Sequence, residues 1–137
     1  MRLNRGIGLL DALIALAILA FGMLAMTRFQ SHLVTQATET QSRQIASQLA
    51  TEQLSTVLVD VRNAACYTLP QTGTCANGEA ATRTSAWADR VATDLPPPVT
   101  TGAVLDAASG RFTVTITWMG KDSQEIRRLE NVTDVRP

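Results

Sequence analysis

Asp11 is the one charged side chain between Ile7 and Met26, in the run IGLLDALIALAILAFGMLAM. An ionised carboxylate at the centre of a membrane helix costs roughly 2.5–3.5 kcal/mol, less near an interface, so such a group is ordinarily kept for a partner. The chemistry open to it is attraction of a cation, which is stronger in a low dielectric than in water. The alternative is hydration at a headgroup boundary, because Asp11 lies only about 6 Å along a helix from Ile7. The second reactive pair is Cys66 and Cys75. Eight intervening residues suit neither a CxxC redox pair nor a zinc knuckle, and a disulfide in an exported domain is the expectation, with two unrelated buried thiols as the competing reading.

Nothing else in the sequence forms a catalytic set. His32 is the only histidine and there is no HExxH, so neither a metal pair nor a metalloprotease helix is expected. The cluster from Gly73 to Gly78 carries no GK[ST] phosphate signature. Asp89, Asp94, Asp106 and Asp122 are scattered on polar faces or turns with no evident pairing. The expectation is a non-enzyme with no cofactor and no metal. Twelve basic and twelve acidic residues cancel along the chain, which argues against nucleic acid as a partner. Arg127-Arg128 reads as solvated strand surface, with a subunit contact as the alternative.

The element that must carry Asp11 is a helix. Its apolar run meets the roughly twenty residues needed to cross a bilayer. Arg2 and Arg5 precede it and Arg28 follows, a bias toward a cytoplasmic N-terminus. A cleaved signal peptide competes, but its small-residue site would fall at Ala20-Phe21-Gly22, inside a run that stays apolar through Met26. Beyond it, Phe29, Leu33, Ala37, Ile45, Leu49, Leu54, Val57, Leu58 and Val61 keep three- and four-residue spacing, and no proline appears before Pro70. One helix from about Ile7 to about Asn63 would be roughly 85 Å long. Two helices broken near Gln36–Thr40 are the alternative, since Thr35, Thr38 and Thr40 are weak helix formers. Gly22 allows bending or the close approach of another helix.

The rest reads as a small head. A loop bearing Cys66, Pro70, Gly73, Cys75 and Gly78 leads to a helix from Thr84 to Leu95, with Ser85 as N-cap and Trp87, Val91 and Leu95 on one stripe. Trp87 is expected in the core, with an exposed binding role as the alternative. Phe112, Val114, Ile116 and Trp118 alternate with threonines, a strong strand signal. A turn at Gly120-Lys121-Asp122-Ser123 and a return strand from Ile126 to Val135 follow, and Ala103–Leu105 fits an earlier strand. The expected fold is α+β, a long helix packed against a small antiparallel sheet.

The stretch Arg5-Gly6-Ile7-Gly8-Leu9-Leu10-Asp11 resembles the processing site of a type IV prepilin. The family's peptidase cuts after the glycine and methylates the new amine, and an acid stands five residues beyond the cut. The resemblance implies cleavage between Gly6 and Ile7, N-methylation of Ile7, and an assembly ion pair between Asp11 and the terminal amine of a neighbouring subunit. Here Ile7 replaces the usual Phe, Gly8 the usual Thr or Ser, and Asp11 the usual Glu. Phe21-Gly22-Met23-Leu24-Ala25, Phe29-Gln30, Trp87, Leu95-Pro96 and Thr113 to Trp118 are similar to the PilV-type minor pilins. The implied division is a leader over 1–6, a transmembrane or filament-core helix over 7–28, its periplasmic continuation over 29–63 and a pilin-like head over 64–137. The implied partners are other pilins and minor pilins, prepilin peptidase, an inner-membrane assembly platform and membrane lipid. The implied location is the bacterial inner membrane and then the pilus at the cell surface, and the implied work is priming or capping assembly. A type II secretion minor pseudopilin, or a single-pass anchored periplasmic binding or sensor protein, is the alternative.

Overall fold

The computed structural model describes residues 5–72, 75–120 and 125–135. Helix α1 spans Arg5–Val59 and crosses Gln36–Thr40 without a break. The threonines in that stretch lower helix propensity by only tenths of a kcal/mol each, roughly, and no proline or capping residue is there to stop the helix. It ends four residues short of the expected Asn63. Asp60 takes over: its carboxylate accepts from the Asn63 amide at 2.8 Å and from the Tyr67 phenol at 3.1 Å. Such side-chain bonds compete with the helical ladder, and the chain tightens into a 3-10 helix, Val61–Tyr67, across the expected end of the long helix and the start of the expected loop.

Helix α2, Gly78–Asp94, begins six residues before the expected Thr84. Its N-cap is Asn77, not Ser85: the Asn77 side chain accepts from the backbone N–H groups of Glu79 at 3.2 Å and Ala80 at 3.3 Å. Glu79 adds a negative charge to the first turn, where the helix dipole favours it. Three strands follow, β1 (Thr100–Asp106), β2 (Arg111–Met119) and β3 (Ile126–Asp134), in an antiparallel sheet of order β1-β2-β3. Gly110 makes the first hairpin possible with a left-handed φ of 69°. In the second, the Gly120 N–H donates to the Glu125 carbonyl at 2.8 Å, and Lys121, Asp122 and Ser123 lie outside the described residues.

The core of the head is one cluster. Strand β2 contributes Phe112, Val114, Ile116 and Trp118, all buried, as its alternation requires. Helix α2 adds Ala80, Trp87, Val91 and Leu95 lies just beyond it, while α1 adds Ala46, Leu49, Ala50 and Val57. Several buried polar groups find partners there. The Trp87 indole donates to the Leu49 carbonyl at 2.9 Å, and the Gln53 amide donates to the Tyr67 carbonyl and the Thr84 hydroxyl, each at 3.4 Å. The fold is α+β, a long helix with a small three-stranded antiparallel sheet.

Candidate assembly site

The chain divides after Ala37 into two compact units. In the first, α1 is long and apolar enough to cross a membrane, and its apolar window is not buried anywhere in the chain. Leu9, Leu13, Leu16, Phe21 and Met23 each leave 60% or more of their surface open. A helix that is apolar all round needs lipid or other helices about it. Asp11 sits exposed in this stretch, and among the described residues no side chain forms an ion pair or hydrogen bond with it.

On one flank of Asp11 the helix surface is low, while Ile14 rises on the other. Gly8 lies one turn before it and Ala15 one turn after, and at helical spacing Gly8, Ala15 and Gly22 fall in one row beside the carboxylate. A methyl group placed at Gly8 or Gly22 would meet nothing within 4 Å. The glycines are therefore not required by packing inside the chain, and they leave room for another backbone. Gly6 and Ile7 fall in the opening turns of α1, and the Ile7 side chain lies outside the described residues. His32 is exposed, its imidazole 3.2 Å from the Gln36 side-chain nitrogen.

The second unit, starting at Thr38, pairs many of its polar groups internally, although the buried Trp118 indole nitrogen has no hydrogen-bond partner among the described residues. Cys66 and Cys75 are joined in a disulfide with a Cα–Cα distance of 5.0 Å. Glu39 faces two arginines, Arg127 of β3 at 3.1 Å and Arg43 at 3.5 Å. The Glu39–Arg127 contact is a charge pair shielded from solvent and not an aligned hydrogen bond. Burial raises the Tyr67 phenol above its ordinary pKa, reinforced by its bond to Asp60. Asp106 is held below the usual carboxylate range by the Ser109 hydroxyl and the Ala108 N–H. The first shift follows mainly from burial and the second from hydrogen bonds within a turn.

Among the described residues the head carries shallow grooves, such as one of about 400 Å³ lined by Thr38, Gln41, Ile45, Asp94 and Pro96 and one of about 260 Å³ lined by Ser55, Val59, Asp60, Tyr67 and Arg83. Among the described residues no cluster of His, Cys, Asp or Glu is arranged to hold a metal. Asp89 and Asp94 stay on the exposed face of α2, and Asp106 is the last residue of β1, at the turn into β2; Asp122 lies outside the described residues. Trp87 is 1% exposed, which places it in the core. Sequence reasoning missed Glu39, Gln53 and Asn77. Only Asn77 had a local signal, an Asx residue two before Glu79 at the head of a helical stretch.

Comparison of the chain with family models, with curated proteins and with solved structures found no match.

Proposed function

We propose that the chain is a minor structural subunit of the type IV pilus, cleaved between Gly6 and Ile7 by prepilin peptidase and N-methylated at Ile7. Asp11 then receives the terminal ammonium of an adjoining pilin, aligning the incoming helix within the inner membrane. The head, on the periplasmic side where its disulfide can form, travels to the cell surface with the pilus and takes part in priming or capping it. Its work is packing and one ion pair, with no catalysis.

The observation that supports this reading is the lone carboxylate of Asp11, five residues past Gly6, on an apolar helix that the chain leaves uncovered. A lipid anchor needs no acid there, and an acid without a partner carries an insertion cost of roughly 2.5–3.5 kcal/mol at the bilayer centre. An arriving ammonium offsets that cost, and Asp11, Gly8 and Ala15 form the flat surface it would approach.

Mass spectrometry of the native membrane form tests the reading. A chain starting at methylated Ile7 is expected, and a functioning chain that retains Met1 would leave a plain anchored binding or sensor protein as the better account. Gly6→Ala should leave the precursor uncut. Asp11→Ala should be cut yet enter filaments about tenfold less, the factor carried by a lost interaction of about 1.4 kcal/mol, while Asp11→Glu should assemble at least as well as the native chain.

A further inference from the structure

The two outer edges of the sheet are treated differently. On β1, the Leu69 N–H donates to the Ala103 carbonyl at 2.7 Å and the Ala103 N–H to the Leu69 carbonyl at 2.9 Å, closing the middle of that edge. On β3 no such partner is found among the described residues, and this nine-residue strand forms the other end of the sheet. An open edge of that length is a template for another strand unless charge or shape prevents it.

The residues of β3 favour one partner in particular. Read outward from Leu129, the sequence Ile126-Arg127-Arg128-Leu129-Glu130-Asn131-Val132 is self-complementary. If two copies align antiparallel about Leu129, Ile126 faces the partner's Val132 and Arg128 faces the partner's Glu130. Shifting the centre to Arg128 or Glu130 sets like charges opposite each other, which is unfavourable across strands. Ile126, Arg128, Glu130 and Val132 all lie on the exposed face of the sheet. In the single chain Arg128 is paired with Glu130 along the strand, so exchange across the two-fold axis keeps both charges matched. Arg127, on the other face, is held by Glu39.

We infer that β3 pairs edge to edge with β3 of a second copy of this chain, antiparallel about Leu129, extending the sheet from three strands to six. The axis stands perpendicular to the sheet, so the partner head is met from the opposite direction and not as a side-by-side neighbour of the same orientation. Seven facing positions supply about six to eight ladder hydrogen bonds. That makes a small, reversible contact, below the size of a permanent interface. The inference does not rest on the role proposed for Asp11, and its test reads β3 alone.

The full chain in dilute detergent, with Cys66–Cys75 intact, carries one added cysteine and is oxidised with diamide, which takes up the two hydrogens released as the new disulfide forms. Leu129→Cys should give a cross-linked dimer, since facing Cα atoms in a ladder stand about 4.5–5.5 Å apart. Val132→Cys alone should cross-link at least tenfold less, because its two copies lie about 20 Å apart along the strand. A mixture of Ile126→Cys and Val132→Cys chains, altered only on the exposed face, should join one to the other. Adding Arg128→Glu should cut this cross-link several-fold, and adding Arg128→Glu with Glu130→Arg should restore it. Equal cross-linking at Leu129→Cys and Val132→Cys, or no response to charge reversal, would overturn the inference.

Discussion

Residues 8–37 and 38–59 belong to one helix, α1, and treat their apolar side chains in opposite ways. Before Ala37 the leucines and isoleucines are open on every side. After Thr38 a narrow stripe of Ala46, Leu49, Ala50, Gln53 and Val57 is buried, and the other faces carry Glu, Gln, Ser and Thr. Two alanines interrupt the larger residues of the buried stripe, and within it the Leu49 carbonyl accepts a hydrogen bond from the Trp87 indole. Burial near a residue's own fold partners makes that half part of a core. The first half has hydrophobicity without fold partners, so its free energy depends on what surrounds the chain.

The largest expected effect tests this contrast directly. In detergent, Trp87→Ala should lower the unfolding free energy of the head by about 3–5 kcal/mol, the range for removing a buried large aromatic. Leu16→Ala, at a site 63% exposed, should change it by less than about 0.5 kcal/mol. Comparable losses in denaturant titrations would show that the first half of α1 also has a core, breaking the contrast.

Removing the disulfide sharpens it further. Replacing Cys66 and Cys75 together by serine should cost the head about 2.5 kcal/mol from loop closure alone, while leaving the helicity of the first half of α1 unchanged by far-ultraviolet circular dichroism. A loss of helical signal before the head unfolds would contradict that independence.

The smallest effect lies in pH dependence. Asp106 has a lowered pKa in the fold, so its stabilisation is fully present above the ordinary carboxylate value and is lost as pH falls through the lowered one. Asp106→Asn should flatten the acid limb of stability measured by denaturant midpoints below about pH 4. Tyr67 works in the other direction. Its raised pKa gives stability that is present below the ordinary phenol value and disappears as pH climbs through the raised one, so Tyr67→Phe should flatten the alkaline limb above about pH 10. An unchanged acid or alkaline limb would place the pH sensitivity elsewhere.

Strong periodicity made much of this legible. The alternation from Phe112 to Trp118 located β2 and its buried face, and the apolar run located the exposed half of α1. Small or polar residues hid the rest. Ala46 and Ala50 carry little hydrophobic signal, yet both are fully buried in the core cluster. Gln53 looks like surface until Tyr67 and Thr84, distant in sequence, supply its acceptors. The early start of α2 was masked by Gly78, Thr82, Thr84 and Ser85, all modest helix formers, until the Asn77 cap and tertiary burial outweighed them. At the candidate site, the spacing of Gly6, Ile7 and Asp11 was legible in the sequence only through its resemblance to a prepilin processing site, whereas the uncovered surface around Asp11 required the fold.

The bridge between Leu69 and Ala103 couples the disulfide segment to the margin of the sheet. It lies three residues after Cys66, in the segment that the Cys66–Cys75 bond fastens. With the thiols reduced that fastening would be gone, and the β1 margin would depend on the two Leu69–Ala103 hydrogen bonds to stay closed against other strands.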